Sequence, residues 1–138
     1  KETGWTFGSH TWGHIRLDSR PLESVQRDTV RWAEEVGSLV GPTNILFYPH
    51  GGRPDGDDWH STGPVFQYLQ SQGFRIFASV GINSFSYIKK DISAVICDRL
   101  HPDGTTLRNG KALEWYSQFY DAREIIDLDV RPDLGVTW

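Results

Sequence analysis

A single cysteine, Cys97, in 138 residues excludes an internal disulfide and leaves the redox compartment open. No apolar run approaches the roughly 20 residues that a bilayer-spanning helix needs. Basic residues are outnumbered, 14 Lys and Arg against 18 Asp and Glu, for a net charge of −4. That balance argues against nucleic acid as a partner, because phosphate binding relies on clustered Lys and Arg. There is no internal repeat and no low-complexity tract. The chain opens at Lys1 without an initiator Met or apolar leader, as expected of a segment that begins inside a domain. Aromatic residues are abundant: six Trp, five Tyr and seven Phe. Most such rings pack cores, and exposed ones are suited to the flat faces of sugars.

The order of elements predicts an α/β fold. Trp5 to Gly8 reads as a short strand that runs into the polar segment Ser9 to His14. A long helix follows, with Asp18 or Ser19 as its cap, Pro21 in its first turn and Gly41-Pro42 as its stop. Asn44 to Tyr48 reads as a buried strand, and Pro49 to Gly56 as a loop of turn formers. A second helix is expected from Thr62 to Gln72, capped by Ser61 or Thr62, then a strand from Phe74 to Val80. Ile92 to Cys97 suggests another strand, His101 to Thr106 a turn, Lys111 to Tyr120 a helix and Ile125 to Val130 a last strand. Helix, strand, loop, helix, strand is the pattern of repeated βα units with a mostly parallel sheet.

The densest chemistry is in Ser9-His10-Thr11-Trp12-Gly13-His14. Two His four residues apart share one face of a helical turn, so both imidazoles can reach one metal ion. Just after a strand end is also where loops of parallel α/β folds carry function. The surrounding residues add a resemblance. Phe7 to His14 resembles the second motif of the NodB-homology polysaccharide deacetylases, carbohydrate esterase family four. Phe47-Tyr48-Pro49-His50-Gly51-Gly52 resembles their third motif, and Gln26-Arg27-Asp28 stands in the intervening helix. Leu69 to Arg75 is similar to the helix end that follows, and the likeness is good from about Trp5 to Val80.

The resemblance implies a distorted (β/α) barrel, of which this chain is a part, and a divalent cation, zinc by expectation. His10 and His14 are the implied metal ligands. The backbone of Pro49, His50 and Gly51 is expected at the oxyanion, with Trp12 either walling the pocket or packing beneath it. The implied reaction removes N- or O-acetyl groups from a cell-wall, capsule or chitin-like polysaccharide. The implied location is extracytoplasmic, at the cell surface or secreted.

Departures from the family pattern qualify the site. The aspartate pair that supplies a base and a third ligand is expected upstream, since no Asp precedes His10. Gly81 to Ser84 is neutral where acidic residues are usual, and Ile96-Cys97-Asp98 lacks a His, leaving His101 as candidate acid. His50 is either a contact to substrate or metal, or a solvated loop histidine. Asp55, Asp57 and Asp58 are either a replacement carboxylate source or a solvated acidic loop. Cys97, in an apolar run, reads as a core thiol. Gly51-Gly52 lacks the Lys of a phosphate loop. A barrel of this kind takes roughly 200 residues, so residues 1–138 are expected to form one deacetylase-like domain truncated at its N-terminus, inactive alone and open to self-association. The alternative is a non-catalytic carbohydrate-binding or structural relative.

Overall fold

Residues 4–56, 63–81, 86–89, 93–99, 114 and 117–118 are described by a computed structural model of the chain. The chain divides into two compact units, 1–100 and 101–138. The second lies outside the described residues except for Glu114, Ser117 and Gln118, and with it most of the expected turn, helix and strand after His101.

In the first unit the apolar stripe after Pro21 forms α1 (Leu22–Trp32). It continues through a π turn (Ala33–Gly37) into a last short helix, α2 (Ser38–Val40). Gly41, at φ 84°, ends the run, with its N–H donating to the Gly37 carbonyl. The expected cap is not used. Pro21 occupies the N-cap position, with no side-chain bond to the first turn. Asp18 instead accepts Arg16 Nε at 3.0 Å. That guanidinium holds its carboxyl below the usual aspartate range.

Three parallel strands follow in order: β1 (Ile45–Phe47), β2 (Ile76–Val80) and, beyond the intervening β3 (Ser86–Lys89), β4 (Ala94–Arg99). The sheet order is β1-β2-β4-β3, with β3 antiparallel at the far edge. β3 had no counterpart in the expected elements. On the other side of β1, Ser9 makes a single parallel bridge to Leu46, while Trp5 to Gly8, expected as a strand, is irregular backbone. Ser9 N donates to Ile45 O at 2.9 Å, and Phe47 N to Ser9 O at 2.8 Å. The parallel segments thus succeed one another across the sheet in chain order, without the reversal of a doubly wound fold.

The helices α1 and α3 (Pro64–Ser71) touch each other, so both crossovers lie on one face of the sheet. Leu46, Phe77 and Ile96 stand in register on that face. They pack with Val25 of α1 and Val65, Phe66 and Leu69 of α3. Because side chains alternate along a strand, Ile45, Phe47, Ala78, Cys97 and Arg99 belong to the opposite face. The described strands form one open sheet.

The cap of α3 comes from outside the helix. Asp55, in the loop after β1, accepts the N–H groups of Val65 at 3.2 Å and Phe66 at 2.9 Å. Gly63 takes the N-cap position, where any Cβ would collide with the Asp55 carboxylate. Replacing Asp55 with alanine is therefore expected to cost about 1 kcal/mol, the usual size for a lost cap. A lowered urea midpoint at unchanged slope would report it, and an unchanged midpoint would mean that water caps the helix equally well.

Candidate functional site

His10, His14 and His50 meet at the C-terminal end of β1. Their rings form a chain, His10 to His14 with centroids 4.9 Å apart and His14 to His50 at 4.4 Å. Both contacts are edge-to-face, inclined by 66° and 63°. The expected helical turn is absent, since Ser9 to His14 is irregular backbone. Thr11 at φ 62° and His14 at φ 51° are left-handed, and these turns bring the two imidazoles together in place of helical spacing.

That conformation is anchored from α1. The Asp28 carboxylate accepts Trp12 N at 2.8 Å and Gly13 N at 2.7 Å. Thr11 N donates to Ser9 Oγ at 3.2 Å, and Ile15 N to Thr11 Oγ1 at 3.1 Å. Trp12 is clamped over α1 and α1's continuation. Its Nε1 donates to Glu35 at 2.8 Å, and the Arg31 guanidinium lies 3.5 Å from the ring centroid. Two fifths of Trp12 remains exposed.

His10 Nδ1 lies 2.8 Å from the Phe47 carbonyl oxygen. A carbonyl only accepts, so Nδ1 carries the proton of this bond and Nε2 faces away from it. A hydrogen bond of this kind, made by the ring nitrogen away from the metal, fixes the tautomer and orientation of a metal-binding histidine. At His14, partial desolvation comes first, followed by His50, His10 and Arg99, in lowering the imidazole pKa toward the neutral form that a ligand requires. Gly8 completes the cradle, because a Cβ there would meet the Phe47 ring at 2.5 Å.

Pro49–Gly51 is a single 3-10 turn. His50 and Gly51 both have positive φ, at 54° and 69°, which projects the imidazole toward His14. The Gly51 and Gly52 N–H groups donate within the turn, to Tyr48 O at 3.3 Å and Pro49 O at 3.0 Å. Ser79 Oγ donates to Gly51 O at 3.0 Å, tying the turn to β2. Arg53, from the same loop, reaches Asp98 of β4 at 3.1 Å. Asp55 is committed to capping α3, while Asp57, Asp58, His60 and His101 lie outside the described residues. Cys97, expected as a core thiol, is half-buried and outside the buried core cluster, with its thiol pushed up by desolvation and by Asp98.

Two imidazoles with one tautomer fixed suit a borderline-soft divalent ion such as zinc. Among the described residues, however, no group of three or more His, Cys, Asp and Glu side chains is placed to hold a metal ion. The donor set fits such an ion at two ligands, His10 and His14. Asp28, Arg53, Asp98 and Arg99 were not assigned to the site from sequence. Nothing in their spacing marks them, since each acts across 15 or more residues or between strands.

No family model, curated protein or solved structure matches the chain. Fold and site define a class only: an α/β protein with a histidine cluster at the C-terminal edge of parallel strands. Among the described residues no helix is long and apolar enough to cross a membrane.

Proposed function

We propose that the chain is the histidine-bearing part of a metal-dependent hydrolase that removes N- or O-acetyl groups from a polysaccharide outside the cytoplasm. The observation that carries this reading is the paired His10 and His14 imidazoles, with His10 Nδ1 held on the Phe47 carbonyl. The unreversed order of parallel segments supports it further, because a (β/α) barrel winds in one direction. On this reading the open sheet is an arc of a distorted barrel of the polysaccharide deacetylase type. The sheet face away from the helices, with Ile45, Phe47, Ala78 and Cys97, would then line its interior.

His10 and His14 would hold the ion, zinc by preference, in neutral form. A divalent ion there supplies Lewis-acid polarisation of an acetyl carbonyl and acidifies water. The protein's own residues orient and position: Phe47 O fixes His10, Asp28 fixes the loop that carries both ligands, and His50 stands beside His14. The second reading, a carbohydrate-binding relative without catalysis, is favoured by the finding that, among the described residues, no three His, Cys, Asp or Glu side chains are grouped to hold a metal ion.

Zinc titration of the parent chain beside the His10→Ala, His14→Ala double variant tests the metal site. One zinc bound by the parent and none by the variant is the expected result; equal binding by both would remove the assignment. Acetate release from an N-acetylglucosamine oligomer, dependent on His10 in the protein that supplies the missing carboxylates, separates enzyme from binder.

A further inference from the structure

At the other end of the parallel strands from the histidines lies an open cleft of about 720 Å³. Asn44 stands just before β1 and Gln72 just after α3, so both reach it at the N-terminal edge of the sheet. Trp5 and Phe7 line it from the segment that leads to Ser9. Trp5 is 72% exposed and Phe7 42%. Folding usually takes such rings out of water, and exposed apolar surface rimmed by polar groups marks ligand grooves. Phe7 is fixed in place: its carbonyl accepts Thr43 Oγ1 at 2.6 Å, and that hydroxyl accepts Ile45 N at 3.1 Å. Gly73 keeps the cleft wide, since no atom lies within 4 Å of where its Cβ would be.

The chemistry of the lining selects a ligand class. No lining residue is charged, although charged residues make up 23% of the chain. An anionic ligand would find no Lys or Arg there, and a cationic one no carboxylate. The polar groups are hydroxyls and side-chain amides, from Thr6, Thr43, Asn44 and Gln72. Asn44 is held by its backbone, whose carbonyl accepts Arg75 N at 2.8 Å and Ile76 N at 3.0 Å. Its exposed side-chain amide makes no hydrogen bond to any described residue. An amide offers both donors and an acceptor, as a sugar hydroxyl does. Gln72 Nε2 donates to Ser71 Oγ at 3.3 Å, which leaves its amide oxygen without a partner among the described residues. The rings supply the other half of the match. The face of an aromatic ring is electron-rich, and the C–H bonds on the flat face of a pyranose carry slight positive charge. A purely apolar ligand would strand the amides, and a wholly polar one would leave the rings bare.

We propose that this cleft is a second, non-catalytic binding site for an uncharged saccharide, with the Trp5 ring stacked on one pyranose and the Asn44 amide bonded to its hydroxyls. The inference goes beyond the hydrolase reading and does not rest on it. The histidines meet at the C-terminal end of β1, and the cleft opens at its N-terminal end. At about 3.3 Å per residue, the path from Asn44 to Tyr48 separates them by roughly 13 Å. One sugar ring cannot fill both, so a saccharide held at the cleft leaves the histidines free.

Calorimetric titration of the intact chain tests it, with N-acetylglucosamine, glucose and galacturonate oligomers as probes. The expected result is saturable binding of one or both neutral oligomers. Trp5→Ala should weaken that binding roughly tenfold, and Trp5→Tyr, which keeps a ring, should recover part of the loss. Asn44→Ala should weaken it by a smaller factor. Both side chains are exposed, so the urea midpoints of these variants should match the parent's. The His10→Ala, His14→Ala double variant should bind the oligomer as the parent does. Unchanged binding in Trp5→Ala, no binding of either neutral oligomer, or galacturonate held equally well through Trp5 would each overturn the proposal. A Trp5-dependent dimer in sedimentation, with no sugar bound, would give the cleft to a second copy of the chain and overturn it too. Binding lost in the histidine variant but kept in Trp5→Ala would place the saccharide at the histidines, supporting the hydrolase reading and removing the cleft. Trp5-dependent binding by a chain that takes up no zinc would support the cleft while removing the metal reading.

Discussion

Replacing Asp98 with alanine is expected to destabilise the first unit by about 3 kcal/mol, at the lower end of the range for breaking a buried ion pair. The Asp98 side chain is 3% exposed and the Arg53 side chain 19%, with Nη2 to Oδ1 at 3.1 Å. Removing the carboxylate leaves a largely desolvated guanidinium without that counter-charge. The penalty comes from the cation left behind more than from the attraction lost. An Arg53→Met, Asp98→Leu double variant should accordingly recover most of the loss, since apolar replacements of both partners are often neutral. Urea denaturation of parent, single and double variants measures it. A single variant within about 0.5 kcal/mol of the parent, as for an ordinary surface change, would mean that water reaches the pair and screens it. The same pair ties the loop bearing His50 to β4. Asp98→Ala should therefore also blur the His50 ring resonances before it unfolds the chain.

The parallel core was largely legible in the sequence. The Ile-Leu-Phe run of β1 and the Ile-Phe-Ala run of β2 were expected within a residue or two of where they lie, because buried parallel strands are short and almost wholly apolar. The helix from Leu22 to Val40 was legible for the same reason: its apolar positions repeat at helical spacing between Pro21 and Gly41. The caps were misread. Asp18 and Ser61 carry good capping side chains, but α1 starts on Pro21, and α3 takes its cap from Asp55 across the loop. Local sequence cannot show a cap supplied from a distance.

At the site, residue types were legible and geometry was not. The four-residue spacing of His10 and His14 suits a helical turn that the chain does not adopt. They meet because Thr11 and His14 turn left-handed, which is costly for a β-branched residue and visible only in the fold. The sequence alone does not place His50 in solvent or in the site, and it joins the cluster through two successive positive φ values. Arg99 carries no signal of a role in the sequence. Its register opposite Val80 and its reach over Phe47 exist only once β4 has paired with β2.

The loop that carries both proposed ligands hangs on one carboxylate, and Asp28→Ala should expose this twice. Left-handed backbone at non-glycine residues costs of order 1–3 kcal/mol each, and the loop has two of them, Thr11 and His14. Something outside the loop must hold it there. Asp28 does so with two short bonds, to Trp12 N at 2.8 Å and Gly13 N at 2.7 Å. Bonds to an ionised acceptor contribute about 1.5–3 kcal/mol each when well shielded; both bonds here face solvent. The summed loss should then be about 2 kcal/mol. The second effect is on zinc. An outer partner that positions a ligand typically shifts metal affinity by roughly 10–100-fold, and Asp28 positions His14 through the backbone it anchors. Asp28→Asn keeps one acceptor and should fall between parent and alanine. Competition with a chromophoric chelator gives the affinity, and urea denaturation gives the stability on the same samples. Stability lost with zinc affinity intact would mean that the loop finds its metal-binding shape without α1, and Asp28 would then be a fold residue with no part in the site.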